Sequence, residues 1–180
     1  SGNAVIETKN ELKNFKGVVV VCFADNPFIT KKTIKNLIKS IKDSNDIALT
    51  SFKKNNKNSY GKIILSKDNK PLKIIEDRNS KLDTLLCNGG IMAFNSAIMF
   101  NLLSKIKPDN ISKEYYLTEV VELAFKQNLK VDLIQIDEQE ILGVNCKEDL
   151  ALAEKIIQTQ LRHFFLDQGV TLIDPETNYF

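Results

Sequence analysis

Residues 18–23, VVVVCF, form an unbroken apolar run that stops at Ala24, Asp25, Asn26 and Pro27. A short run rich in β-branched residues and closed by turn formers reads as a strand covered on both faces; strict alternation would mark a strand with one wet face. The next segment, ITKKTIKNLIKSIK, sets Ile34, Leu37, Ile38 and Ile41 along one side of a helix. Strand, acidic turn and amphipathic helix in that order restrict the chain to architectures that lay helices over a sheet. Asp25 then falls just beyond the carboxyl end of a central strand. A carboxylate there either caps a turn before proline or holds a divalent cation against phosphate oxygens.

The alternation continues along the chain. Residues 47–52 read as a strand, the polar KKNNKNSYGK follows, and residues 62–65 and 72–75 flank SKDNKP as a hairpin. LCNGGIMAF is a further strand, and KVDLIQI another. The spacing predicts helices over about 96–104, 114–127 and 147–165. Strands alternating with helices predict an α/β fold with a doubly wound, mainly parallel sheet whose ligands lie outside the carboxyl ends of its strands.

Composition closes off several functions. The 180 residues, 43% hydrophobic and 27% charged, suffice for a core of their own. Twenty-five basic against 23 acidic residues leave a formal charge of +2, which gives no electrostatic ground for a nucleic-acid partner. Cys22, Cys87 and Cys146 are odd in number and lack Cys-x-x-Cys spacing, which argues against a disulfide framework or zinc site and for a reducing cytoplasm. No apolar run approaches the roughly 18 residues of a membrane span. His163, the single histidine, joins no Ser-His-Asp set. The chain lacks an initiator Met and enters patterned sequence at once, as a portion of a longer protein would.

Four further positions carry alternatives. Gly61 in SYGKI supplies a turn or lets backbone approach a ligand. Glu76 in IIEDRNS is a solvated strand end or a ligand group. Asn88, with Gly89 and Gly90, breaks an apolar strand either as a bulge or as a polar contact with close backbone approach. Asn145 in ILGVNCKEDL caps the following helix or serves a ligand.

In order, FADNP, SYGKI, KIIEDRN, CNGGIMAF, EYYLTEVVELA, GVNCKEDLALAE and GVTLIDPETNYF resemble the bifunctional bacterial N-acetylglucosamine-1-phosphate uridylyltransferase / glucosamine-1-phosphate acetyltransferase family over essentially the whole chain. EYYLTE, GVN and GVTLIDPET are the most specific blocks. The resemblance implies a nucleotide-diphospho-sugar transferase fold, glycosyltransferase-A-like, without the first strand and the Gly-rich phosphate loop. It implies boundaries at 1–146 for the C-terminal portion of the uridylyltransferase domain, 147–168 for a linker helix, and 169–180 for the start of a left-handed β-helix.

The same resemblance assigns roles. Asp25 and Asn145 would hold a catalytic Mg²⁺. Gly61, Glu76 and Asn88 would contact N-acetylglucosamine, with Thr118 and Tyr116 lining the same pocket. Phe23 and Ala24 stand where the family has Tyr-Gly beside the ligand, and Ser1 and Gly2 where its GTG loop touches uridine. The implied reaction joins UTP and N-acetylglucosamine 1-phosphate into UDP-N-acetylglucosamine and pyrophosphate, in the cytoplasm, for peptidoglycan and lipopolysaccharide precursors. No nucleic acid or membrane takes part, and a homotrimer is expected of the full-length parent. Without the phosphate loop the chain by itself is expected to show no turnover. Its apolar tail, with Val170, Leu172, Ile173, Tyr179 and Phe180, is expected to be exposed or paired with a neighbouring molecule. The alternatives are a non-catalytic sugar-nucleotide-binding remnant, an assembly segment, and a nucleotidyltransferase for another sugar phosphate.

Overall fold

A computed structural model describes residues 2–54, 60–76, 85–109 and 114–180. Two short helices, α1 (Gly2–Ile6) and α2 (Lys9–Leu12), precede strand β1 (Val18–Val21) and helix α3 (Lys31–Lys42). Then come β2 (Ile47–Lys53), β3 (Lys62–Leu65), β4 (Pro71–Ile75) and the long β5 (Leu86–Asn95). Helices α4 (Ser96–Leu103) and α5 (Glu119–Lys126), strand β6 (Val131–Gln135), a 3₁₀ turn at Glu138–Ile141, helix α6 (Lys147–Asp167) and a second 3₁₀ turn at Pro175–Thr177 complete the chain.

The fold is α/β, built on a mixed six-stranded sheet of order β4-β3-β5-β2-β6, with β1 also paired to β5. Strands β1, β2, β3 and β6 share one direction, and β4 and β5 oppose them. Because β5 sits in the middle of the order, parallel neighbours among the described strands are confined to β2 and β6. One core cluster, with Leu49, Met92, Phe94, Met99, Leu102 and Val120, packs α4 and α5 on the sheet. A second, with Leu37, Ile41, Ala48, Ile91 and Ala93, packs α3 on it. Leu37 and Ile41 belong to the apolar stripe read from the sequence, and Thr30 caps α3 by accepting from the Thr33 N–H at 3.1 Å.

Three expectations change. β1 is half-buried along its length and, among the described residues, pairs with β5 alone, so it lies at an edge; the central strand is β5. β1 also ends at Val21, opposite Met92, because β5 leaves the regular ladder just beyond that pair. Helix α5 starts at Glu119 and not near residue 114, since residues 117–118 form a turn that drives Leu117 into the core.

Candidate active site

β1 and β3 lie end to end along the same edge of β5. β1 pairs with its C-terminal residues, down to Val21 opposite Met92, and β3 starts with Lys62 opposite Cys87. Between those levels the edge of β5 carries no strand among the described residues. This interval holds Asn88, Gly89, Gly90 and Ile91, and a cleft of about 300 Å³ opens over it. The cleft therefore faces the carboxyl end of β1, in accord with the rule for open α/β sheets.

The irregular interval has internal causes. The β2–β5 register shifts between Leu49 and Ser51, where Leu49 faces Met92 and Ser51 faces Asn88, so β5 bulges opposite Thr50. The buried Thr50 hydroxyl fills the disrupted ladder, accepting from the Ile91 N–H at 3.1 Å and donating to the Ile91 carbonyl at 3.2 Å. A Cβ on Gly89 would stand 2.5 Å from Thr50 Oγ1. Gly90 has φ +81°, and a Cβ there would meet the Phe23 ring at 2.8 Å. The Asn88 side-chain oxygen accepts from the Gly90 N–H at 3.0 Å, which leaves Nδ2 as the donor end of the amide. A bulge and a polar group thus occur at the same place, so the two readings of this stretch do not compete.

Around this floor the structure gathers Phe23, Gly61, Glu76, Asn88, Tyr116 and Thr118 as lining residues, from five separate parts of the chain. The Asn88 N–H donates to the Gly61 carbonyl at 2.8 Å, joining β5 to the start of β3. A Cβ on Gly61 would lie 3.0 Å from Glu76 Oε2, so the bare glycine makes room for that carboxylate. Asn88 and Thr118 are buried, while Phe23 and Glu76 keep an exposed face. Gly2 is buried against the carbonyl of Tyr115, to which its N–H donates at 2.7 Å, next to the lining residue Tyr116. Ser1 lies outside the described residues.

Asp25, next to the lining residue Asn26, and Asn145 both approach Gly143, and both are exposed. The Val144 N–H donates to the Asp25 carbonyl at 2.8 Å. Both side chains approach Gly143: a Cβ there would stand 3.3 Å from Asn145 Nδ2 and 3.7 Å from Asp25 Oδ2. Ala24 is exposed between Phe23 and Asp25. Asn145 is not the cap of α6. That role falls to Cys146 and Asp149, whose Oδ2 accepts from the Asn145 and Cys146 N–H groups at 2.9 and 3.1 Å. These bonds, chiefly the one from Asn145, hold the Asp149 carboxyl below its usual range.

Sequence reasoning missed Asn26, Tyr60 and Glu140. Asn26 lines the cleft and donates from Nδ2 to the Ile141 carbonyl at 2.9 Å. Tyr60, also lining, sits edge-on to Phe52 with ring centroids 5.0 Å apart, and Lys54 lies 5.2 Å over its ring while bonding Glu138. The position of Tyr60 immediately before Gly61 was the available signal.

No family model matches the chain. Curated relatives do: it is 37% identical to the bifunctional protein GlmU of Ruegeria sp. (strain TM1040) over 98% of its length. It is 36% identical to the GlmU of Caulobacter vibrioides over 98%, and 34% to that of Paramagnetospirillum magneticum over 100%. The chain belongs to the GlmU family. It spans about 40% of the length of these GlmU proteins. Among solved structures, a CMP:2-keto-3-deoxy-manno-octonic acid synthetase complexed with CTP superposes with TM-score 0.64 at 13% identity, over 89% of this chain and 69% of that one. A 4-diphosphocytidyl-2C-methyl-D-erythritol synthase from Anaerococcus prevotii gives 0.60 at 16%, over 87% and 63%. These likenesses establish the nucleotide-diphospho-sugar transferase fold for this chain. Among its described residues no helix is long and apolar enough to cross a membrane.

Proposed function

We propose that this chain carries the sugar-nucleotide cleft of a Mg²⁺-dependent uridylyltransferase that makes UDP-N-acetylglucosamine and pyrophosphate from UTP and N-acetylglucosamine 1-phosphate. The observation that supports it is the convergence of Gly61, Glu76, Asn88 and Thr118 on one cleft with the Asp25–Asn145 pair at its side. In this reading Glu76 accepts from sugar hydroxyls and the Asn88 amide donates to the acetamido carbonyl. Gly61 keeps the wall flat enough for the ring to lie against it.

The donor chemistry at Asp25 and Asn145 fits the metal. One carboxylate and one amide oxygen are hard ligands, and Mg²⁺ is commonly held by one or two carboxylates together with substrate phosphates and waters. Among the described residues no three His, Cys, Asp or Glu side chains form a metal-sized cluster, so the protein would supply only part of the coordination shell. When bound, Mg²⁺ supplies charge neutralisation at the phosphates. The residues of the chain position the reactants: a phosphate oxygen of the sugar phosphate attacks the α-phosphorus of UTP in line, and pyrophosphate leaves. The attacking phosphate is already ionised and needs no general base.

Titration of the chain with UDP-N-acetylglucosamine and with UDP-glucose, followed by ¹H–¹⁵N spectra, tests this. The acetamido sugar should bind more tightly and shift the amides of Gly61, Asn88 and Gly90. Asn88→Ala should remove most of that preference, at about 1–3 kcal/mol for a lost buried donor. Equal affinity for both sugars in the unaltered chain, or shifts away from the cleft, would refute the assignment.

A further inference from the structure

The segment that carries Asn145 is fastened to the segment that carries Asp25 at three points. The Asn26 amide donates to the Ile141 carbonyl at 2.9 Å, and the Val144 N–H donates to the Asp25 carbonyl at 2.8 Å. The third point is Glu140. Its Oε2 accepts from the Thr30 N–H at 3.0 Å and from the Thr33 hydroxyl at 2.6 Å. Thr33 is itself buried in the first turn of α3, so the carboxylate is seated on the N-terminal end of that helix. A negative group is favoured there by the unpaired N–H groups and the helix dipole. Of the other two points, one runs from the neutral Asn26 side chain to a backbone carbonyl and one joins backbone to backbone. Glu140 alone among the three uses a charged side chain, and it joins elements more than a hundred residues apart in sequence.

We infer that Glu140 is a positioning residue: by anchoring the 3₁₀ turn to α3 it sets the separation of Asp25 and Asn145. The inference rests on the proposal that those two side chains hold a divalent cation. Gly143 makes the dependence close. A Cβ built on it would stand 3.3 Å from Asn145 Nδ2 and 3.7 Å from Asp25 Oδ2, so both side chains approach this glycine and a small slide of the 140–145 segment along β1's exit loop would move Asn145 relative to Asp25 directly. Outer groups that orient metal ligands typically contribute 10–100-fold to metal affinity.

Mn²⁺ titration of the chain, read as paramagnetic broadening of its backbone amide signals, separates the possibilities without any catalytic assay. In the unaltered chain, the amides of Asp25, Gly143 and Asn145 should broaden together and first. Asp25→Asn should abolish this selective broadening; if it persists, the metal reading fails, and this inference with it. Glu140→Ala should raise the Mn²⁺ concentration for half-broadening about tenfold. Glu140→Gln, which still offers an oxygen to Thr33 and Thr30, should recover most of the loss. Thr33→Val, of similar shape but without the hydroxyl, should reproduce a smaller loss and guards against misfolding of the Glu140 variants. Half-broadening at the unaltered Mn²⁺ concentration in Glu140→Ala and Thr33→Val, with Asp25→Asn silent, would overturn the positioning role and leave the metal site standing. A fall in melting temperature with unchanged Mn²⁺ response would likewise assign Glu140 to the fold alone.

Discussion

Gly89 and Gly90 are neighbours that answer different constraints. Gly89 is bare because Thr50 occupies the space of its Cβ; Gly90 is bare because its φ of +81° and the Phe23 ring both exclude one. Gly90→Ala should therefore destabilise the chain by about 1–3 kcal/mol, read as a lower urea midpoint at unchanged slope. Phe23→Ala in the same background should recover only part of this, since it relieves the contact and not the backbone angle. Complete recovery would show that the ring contact is the whole cost. That residues 88–90 break a strand was legible, because an amide and two glycines interrupt an apolar run. The partner was not. Thr50 looks like an ordinary β-branched strand residue, and only the register of β2 against β5 shows that its hydroxyl replaces a missing ladder bond.

At the scale of elements, the start of α6 fixes the backbone of Asn145 through Asp149. Because the Asp149 carboxyl is held below its usual range in the folded chain, it binds a proton less readily folded than unfolded. Its stabilisation is complete above the unfolded value of about 3.9 and disappears as pH falls through the lower folded value. Asp149→Ala should consequently lower the melting temperature at pH 7 and make progressively less difference below about pH 4; a difference that persists at pH 2 would exclude the charged cap as its cause. Element types and most positions were readable from apolar spacing, α3 through Ile34, Leu37, Ile38 and Ile41 being the clearest case. Strand direction was not, since VVVV and GIMAF look the same run either way. β5 opposes β1, β2 and β3 because hairpin-like pairings bring it between them, a fact of tertiary closure. Nor was the late start of α5 readable, because Tyr116 and Thr118 fit the helical period yet serve the cleft wall.

Across the whole molecule, the tail is exposed as expected, yet it has a partner within its own chain. It folds back on α6: the buried Gln158 donates to the Phe180 carbonyl at 2.7 Å and accepts from its N–H at 2.9 Å, and Arg162 donates to the Asn178 carbonyl at 2.9 Å. Phe180 stacks on Phe165 with centroids 4.5 Å apart, and Tyr179 donates to Glu154 at 2.5 Å. Val170, Ile173, Tyr179 and Phe180 nonetheless remain exposed as expected, Ile173 at 99%. Removal of residues 169–180 should thus speed amide exchange in the second half of α6, where Gln158 and Arg162 lose partners, and leave exchange in β2 and β5 unchanged. Uniform acceleration throughout the sheet would show that the tail supports the body as well. The edge of β5 has a consequence of another kind. Its two flanking strands come from opposite sides of β2 in sequence, and the gap between them exists only once both have docked. Contacts of such long range form late in folding. A ligand that requires the gap will find nothing to hold on a half-assembled chain, so it acts as a proofreader of assembly, drawing only finished molecules out of the folding equilibrium.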